Sequence, residues 1–357
     1  MNEVLPTQTP EPGKEYPAEG EEKVAAYITD LLKDQMLRMY PPGPDGKRQL
    51  RQIHPKLNGC VKAEFIIEPN LNENLRVGLF KEAKSFPAWI RFSNGKTHPI
   101  PDYKKDIRGF AIKVMNVPGK KLDDVHPDIT EHDFVLMNTK NFVSGNVKKF
   151  GDILYVVTTP FSIATIAKKV KIAFQNLDVL KRAGAAAIKI ENPAAIPYYS
   201  TVPFRFGDES RAVKYEVRPS PSNKLVNPDQ KSDDLLRNNL AATLKQNELL
   251  FDFGVQFQTD PVKMPVEEPT VIWDSPFVKL ATIRIPKQIF DTDERNRFGD
   301  DIAFNNWHCL PEHRPIGSFN RVRKLIYEEM YAFRHSHNGV KEKIPAAGAD
   351  FFNDTIQ

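Results

Sequence analysis

Three side chains near the C-terminus combine a phenol with two permanent cations. Arg323, Tyr327 and Arg334 are spaced so that, at about 100° per residue, a helix would place them within roughly 40° of one another. A guanidinium beside a phenol favours the ionised phenolate, which is a hard anionic ligand for ferric iron. Arg and Tyr at this spacing also occur on helices that simply pack against a core. The pattern predicts a helix that carries a candidate iron ligand, and it leaves ordinary packing open.

Polar motifs in the first half of the chain could supply further chemistry. A histidine, whose unperturbed pKa is ~6.5, is suited to moving protons, and His54 follows Arg51 at the spacing Arg-x-x-His. A lone histidine is more often structural than catalytic. A catalytic role for His54 therefore depends on its combination with the motifs that follow. In chain order these are Arg91-Phe92-Ser93, Asp106-Ile-Arg108-Gly109-Phe110-Ala111 and Asp133-Phe-Val-Leu-Met-Asn138-Thr-Lys-Asn-Phe142.

The order and spacing of these motifs, together with the Arg-x-x-x-Tyr pattern at Arg323, resemble those of the haem catalases. More closely, the chain resembles the short, catalase-related haem proteins, in which the last helix follows a segment like Phe304-Asn-Asn-Trp307-His308-Cys-Leu-Pro311. The resemblance covers roughly residues 45 to 340. It implies an α+β fold: an antiparallel β-barrel core with a helical insertion and C-terminal helices, which the runs of short strands also favour.

The resemblance implies haem b, with its iron, as the cofactor. Tyr327 matches the iron ligand on one face of the haem, and Arg323 matches the residue that keeps this ligand ionised. Arg51, Arg91 and Arg334 match the arginines that contact the haem propionates.

On the opposite face of the haem, the resemblance implies a catalytic histidine and an access channel. His54 matches this distal histidine, and Ser93 matches the hydroxyl that orients it. Phe142 and Phe150 match phenylalanines that line the channel.

A distal asparagine completes the catalytic groups of the family, and Asn138 is the candidate. An ungapped match, however, puts Met137 at that position. Because adjacent residues of a strand point to opposite faces, Asn138 reaches the haem only if the backbone is locally shifted.

These assignments imply a haem-dependent, peroxide-consuming oxidoreductase: a catalase-like peroxidase acting on hydrogen peroxide or organic hydroperoxides. Its expected partners are the peroxide and either a small organic reductant or a lipid hydroperoxide. One alternative is a fatty-acid hydroperoxide-rearranging enzyme of the allene oxide synthase type, and another is a non-enzymatic haem-binding protein. Ile53 favours the peroxide-consuming branch, because catalases have valine before the distal histidine and the allene-oxide branch has threonine. A carrier would not need both His54 and Ser93.

The composition of the chain argues against several other classes of protein. A net charge of +4 on 357 residues, with the lysines spread along the chain, does not indicate nucleic-acid binding. Cys60 and Cys309 are too few for a disulfide framework or a zinc site and favour a reducing compartment. Residues 1–17 lack an apolar stretch, and no run is long enough to span a bilayer, so we expect a cytoplasmic protein. The sequence leaves a homo-oligomer open.

Hydrophobic spacing divides the chain into three parts. Residues 1–45 are expected to form a flexible N-terminal arm and an amphipathic helix over 21–39, residues 46–340 the haem-binding domain, and residues 341–357 a loosely held tail. Strands are predicted over 60–67, 88–92, 108–114, 133–137, 202–206, 213–217, 250–258 and 279–285.

A helical insertion is predicted over residues 161–190. Its lysines alternate with apolar residues in a basic amphipathic pattern, which could contact a membrane surface or deliver a lipid substrate. We expect instead that its apolar face packs against the barrel.

Overall fold

The computed structural model describes residues 9–42, 47–126, 128–340 and 347–356, and its centre is an antiparallel β-barrel. Within this part of the chain, eight strands follow one another around the ring in the order β5-β4-β3-β2-β1-β9-β8-β7, and pairing of β5 with β7 closes it. A further strand, β6, pairs with the first half of β7. The strands are β1 (Lys56–Ile67), β2 (Ser85–Asn94), β3 (Arg108–Val114), β4 (His132–Met137), β5 (Tyr198–Tyr199), β6 (Phe204–Phe206), β7 (Asp208–Pro219), β8 (Leu249–Phe257) and β9 (Phe277–Ile285).

Side chains alternate between the inside and the outside of the barrel along β2 and β3. Phe92 and Phe110 pack edge to face in the interior, with ring centroids 4.9 Å apart. Their neighbours Arg91, Ser93 and Gly109 therefore lie on the outer face, where Ser93 pairs with Gly109 in the register of the two strands. This outer face carries the candidate site.

Helices surround the barrel. In the described chain they are α1 (Glu21–Met39), α2 (Val147–Thr158), α3 (Ile163–Gln175), α4 (Leu177–Ala186), α5 (Leu235–Gln246), α6 (Asp293–Asp301) and α7 (Ser318–Asn338). α1 packs along α7, α2 packs on α1, and α6 packs against β1. α7 is the predicted helix of the Arg323 motif, and it ends at Gly339, whose φ of 60° only glycine adopts without strain.

The predicted fold class, an α+β fold with an antiparallel β-barrel core, a helical insertion and C-terminal helices, is confirmed. The helix predicted over 21–39 and the strand predicted over 108–114 coincide with α1 and β3. The predicted start of the helical insertion, residue 161, is wrong. The insertion begins at Val147 and ends at Ala186. The reason is an N-cap, since the Asn146 side chain accepts a hydrogen bond from the Lys149 N–H at 2.9 Å. The division of the chain at residues 45 and 340 stays a prediction.

The N-terminal arm and the tail are attached to the domain where the structure describes them. The Gly13 N–H donates to Gln258 Oε1 at 2.8 Å and the Tyr16 N–H donates to Glu267 Oε1 at 2.9 Å, so the arm contacts the domain at these two residues. Its flexibility stays a prediction. In the predicted loose tail, Phe351 is buried with its ring centroid 5.1 Å from that of Trp89, and Arg295 donates to Asp354 at 2.8 Å. The tail is therefore anchored here, while residues 1–8, 341–346 and 357 lie outside the described part.

The expected packing of the insertion against the barrel is also wrong for α3. This helix packs mainly on α2 and α4, with Lys169 and Ile172 on its buried side. Its apolar side chains Ile163, Val170 and Phe174 are exposed instead.

Candidate active site on the outer face of the barrel

His54 is held in an unusual backbone conformation just before β1. Ile53 and His54 have φ angles of 45° and 62°, a region that branched and bulky residues rarely adopt. His54 Nδ1 lies 3.1 Å from Ser93 Oγ, and Arg91 Nη2 donates to the His54 carbonyl at 3.1 Å. These contacts, made by β2, hold both the ring and the backbone of His54, and they direct Nε2 away from Ser93.

Glycines allow this imidazole to lie close to the barrel. A Cβ added at Gly109 would stand 2.5 Å from His54 Nδ1 and 2.6 Å from Ser93 Oγ, and one at Gly95 would stand 3.3 Å from His54 Cε1. Position 109 therefore accepts only glycine while His54 is in place. The sequence motif contains Gly109, but sequence reasoning did not assign it to the site. Strand alternation, which puts it on the same face as Ser93, was the signal that could have done so.

The surroundings of His54 keep its imidazole neutral. Burial, followed by the charges of Arg91, Arg51 and Arg323, lowers the pKa of His54 to about 3. Protein atoms surround the ring, yet part of its surface stays accessible. A neutral imidazole of this kind can accept a proton at ordinary pH.

Three guanidinium groups converge beside His54 on the C-terminal end of α6, where carbonyl groups lack helical partners. They belong to Arg51, Arg91 and Arg334 and donate to backbone carbonyl oxygens of residues 299–302. Their shortest bonds are 2.6, 2.9 and 2.7 Å long, respectively.

This cluster contains more positive than negative charge. Asp300 is 3.9 Å from Arg91, and the neighbouring Asp301 is paired with Arg48. Burial, with repulsion from Arg51, lowers the pKa of Arg91 well below its ordinary value and that of Arg334 to about 9. Arg51 Nε is also buried without a hydrogen-bond partner in the described chain. A ligand with two negative charges would relieve this repulsion, so the predicted propionate contacts fit the cluster.

α7 brings the predicted phenol and its guanidinium to the same place. Arg323 is among the charges that act on His54, and Tyr327 is among the groups that act on Arg51, so residues from the two ends of the chain meet here. Arg323 Nη1 is buried and has no hydrogen-bond partner among the described residues. A buried guanidinium nitrogen without a hydrogen-bond partner favours an acceptor or an anion beside it.

Phe142 and Phe150, the predicted channel residues, lie together. Their ring centroids are 5.3 Å apart, and that of Phe142 is 4.4 Å from Phe319 of α7. The Arg323 guanidinium lies 5.3 Å from the centroid of the Phe142 ring. The contacts seen are thus with α7 on the Tyr327 side, and a channel role for the pair stays a prediction.

The structure does not support Asn138 as the distal amide. Its Oδ1 accepts a hydrogen bond from the Arg108 N–H at 2.6 Å, and its Nδ2 donates to the Ala186 carbonyl at 2.9 Å. No local shift brings it onto the outer face, because Met137 is the residue paired with Gly109. The predicted role of Asn138 is therefore corrected: its amide ties the end of β4 to β3 and α4, and Met137 is the residue that lies on the outer face opposite Gly109.

Comparisons with known proteins give one curated relative and several solved structures of similar fold. No family model matches the chain. The chain is 28% identical over 269 residues to a catalase-related peroxidase from Mycolicibacterium paratuberculosis (strain ATCC BAA-968 / K-10), covering 71% of this chain and 79% of that protein.

Solved structures of catalases superpose on most of the chain. A bacterial catalase matches 81% of it with a TM-score of 0.60 and 15% identity. The chain has the catalase fold. A fungal catalase, at 15% identity, and catalase A from Saccharomyces cerevisiae, at 16%, each match 94% of the chain with TM-scores of 0.58 and 0.59. The chain spans 58% to 68% of the lengths of these three catalases. The predicted resemblance to catalases and catalase-related proteins is confirmed.

Proposed function

We propose that this chain is a haem-dependent peroxidase of the catalase-related type, which consumes hydrogen peroxide or organic hydroperoxides. The observation that carries the proposal is the meeting of a neutral His54, held by Ser93, with the Arg323 and Tyr327 pair of α7. The name of the similar protein, catalase-related peroxidase, supports the same activity.

Haem b is the cofactor in this proposal. Tyr327 would bind its iron as a phenolate, for which the Arg323 guanidinium, whose Nη1 has no hydrogen-bond partner in the described chain, supplies the neighbouring positive charge. Arg51, Arg91 and Arg334 would pair with the propionates, in exchange for part of their present bonds to carbonyl oxygens. When bound, the haem supplies the electrons that reduce the peroxide.

His54 would move the proton that peroxide cleavage requires. Its imidazole is neutral and can take a proton from one peroxide oxygen through Nε2 and return it to the other oxygen. Ser93 would hold the ring in position through Nδ1 while this happens. The result is one molecule of water, or of alcohol for an organic peroxide, per cleaved bond.

Position 137 bears on the balance between peroxidase and catalase chemistry. The thioether of Met137 is only a weak hydrogen-bond acceptor and donates nothing, whereas an asparagine there could hold a second peroxide molecule by donation. We therefore propose that an organic donor, rather than a second hydrogen peroxide, is the better reductant.

The decisive experiment uses two substitutions in the haem-loaded protein. We expect His54→Ala to lower donor oxidation by about 10²-fold to 10⁴-fold while the Soret spectrum persists. Tyr327→Phe should change the ligand-sensitive bands or lose haem. Ser93→Ala serves as the graded control and should retain more activity than His54→Ala.

Products with hydrogen peroxide and with a fatty-acid hydroperoxide separate the alternatives. Donor oxidation with both peroxides supports the proposal. Conversion of the fatty-acid hydroperoxide without consumption of a donor would instead show a rearranging enzyme. Turnover that His54→Ala leaves unchanged would show a haem carrier, and a Tyr327→Phe spectrum identical to that of the unmodified protein would remove the iron-ligand assignment.

A further inference from the structure

The insertion exposes an unusual amount of apolar surface. In the described chain, seven of the fifteen exposed large hydrophobic side chains fall between residues 157 and 177. We call six of them the α3 face, and Ile163, at 97% exposure, is its most accessible member. The α3 face consists of Phe161, Ile163, Ile166, Val170, Phe174 and Leu177. Monomeric proteins rarely expose contiguous apolar patches larger than a few hundred Å² unless the patch is an interaction site.

The orientation of α3 is fixed from its other side. Ser162 and Thr165 form a capping box at its start, with Ser162 Oγ accepting from the Thr165 N–H at 3.2 Å. Lys169, 2% exposed, donates from below to the Val156 carbonyl at 2.9 Å and to the Thr159 carbonyl. Ile172 is buried beside it. A rotation that buried the α3 face would break these contacts, so the face is a feature of the folded chain.

The charge around this face is strongly positive. Residues 153–177 contain no Asp or Glu, and Lys168 and Lys171 are exposed on one flank of the apolar side chains. Residues 147–186, the insertion, contain seven basic and two acidic residues, a formal charge of +5, whereas the whole chain carries +4. The positive charge of the molecule is therefore concentrated in the insertion.

We propose that the α3 face docks on the surface of an anionic phospholipid membrane. An apolar stripe flanked by lysines is the pattern of helices that lie in the headgroup region, where apolar side chains insert and lysines meet lipid phosphates. A second copy of the chain fits less well, because pairing two such faces brings positive charges together. None of the helices in the described chain is long and apolar enough to cross a bilayer, and α3 would lie along the surface.

The test is sedimentation of the full-length protein with extruded vesicles. We expect binding to vesicles of equal parts phosphatidylglycerol and phosphatidylcholine, and at least about 10-fold weaker binding to phosphatidylcholine alone. The double variant Ile166→Ser with Phe174→Ser should lose binding by a similar factor. The double variant Lys168→Gln with Lys171→Gln should do the same and should weaken the salt dependence.

Matched control variants replace exposed apolar residues and exposed lysines outside the insertion. Val262→Ser with Ile289→Ser removes two side chains that are 61% and 62% exposed, and Lys104→Gln with Lys105→Gln removes two exposed lysines. Both should bind like the unmodified protein, with the same circular dichroism. The proposal is overturned if the unmodified protein binds neither vesicle, if it binds both equally, or if the controls lose as much binding as the α3 variants. It is equally overturned if light scattering finds a dimer that Ile166→Ser with Phe174→Ser dissociates.

Discussion

At the scale of single residues, the position of the His54 imidazole depends on the absence of a side chain at residue 109. Ser93 and Gly109 face each other across β2 and β3, and the ring fits against both. The left-handed conformations of Ile53 and His54 hold the ring against this surface at a cost that the surrounding bonds must offset. The proposed proton-moving group, the His54 imidazole, is thus placed by backbone geometry as much as by hydrogen bonds.

We predict that Gly109→Ala lowers peroxide turnover by about 10²-fold, because the new Cβ must push the imidazole out of line by a distance on the order of 1 Å. Overpacking should also lower the free energy of unfolding by about 1 to 3 kcal/mol. Steady-state kinetics and urea unfolding measure the two effects. Gly184→Ala is the control, since no atom stands within 4 Å of its added Cβ. Normal turnover in Gly109→Ala would mean that His54 can work from another position.

Sequence motifs could locate the site residues whose type and spacing form an uncommon pattern. Arg51, His54 and Tyr327 were predicted from such motifs, and the fold brings them together. Asn138 was misassigned because type and proximity in sequence do not determine the face of a strand, and one residue of offset reverses it. Gly109 was missed as a site residue because its contribution is the lack of an atom.

At the scale of elements, the start of α7 is tied to the N-terminal arm through Arg321. Its guanidinium donates to Glu15 at 2.6 Å, to Glu21 at 2.7 Å and to Glu267 at 3.0 Å. All four side chains are mostly buried. Arg321 lies six residues, or about 1.7 turns, before Tyr327 on the same helix, so the arm helps to position the helix of the candidate iron ligand. Sequence patterning predicted α1 and α7 but not the ion pairs of Arg321, which join residues from opposite ends of the chain.

We predict that Arg321→Met lowers the free energy of unfolding by about 3 to 5 kcal/mol, because three carboxylates lose their shared cation in a partly buried place. Urea unfolding followed by circular dichroism measures the effect. Lys324→Met, three residues further along α7, removes a cation whose partner Asp124 is 82% exposed, and it should cost less than about 1 kcal/mol. Equal losses for the two variants would contradict a special role for Arg321.

Boundaries were predictable where a single signal dominates. The periodic apolar residues of α1 and the proline and glycine residues after it defined that helix. α2 was missed because its apolar residues merge with a preceding loop, and its start depends on the Asn146 cap. The exposure of α3 could not be predicted, because an amphipathic pattern shows that a helix has an apolar face but not what covers it.

At the scale of the whole molecule, the barrel interior encloses ionisable groups inside an aromatic core. His132 is 1% exposed, with its ring centroid 4.7 Å from that of Phe134 and 5.3 Å from that of His313. His313 makes a hydrogen bond of 3.1 Å with the Tyr215 hydroxyl, whereas His132 Nδ1 has no partner in the described chain. Burial lowers the pKa of His313 to about 3, and burial together with His313 lowers that of His132 well below its ordinary value.

These lowered values predict that the protein loses stability in acid. The unfolded chain binds protons to these imidazoles near pH ~6.5, whereas the folded chain resists them, so the stability is fully present above that pH and falls as the pH drops towards 3. We expect His132→Leu to keep or raise the free energy of unfolding at pH 7, since it removes a buried nitrogen without a partner in the described chain. Between pH ~5.5 and ~4 it should reduce the slope of the free energy of unfolding against pH by up to about 1.4 kcal/mol per pH unit. Urea midpoints across this range measure the slope, and the exposed His98→Leu is the control. If His132→Leu and His98→Leu showed equally steep slopes, the His132 imidazole would take up no extra proton on unfolding. The loss of stability in acid would then originate outside this part of the barrel.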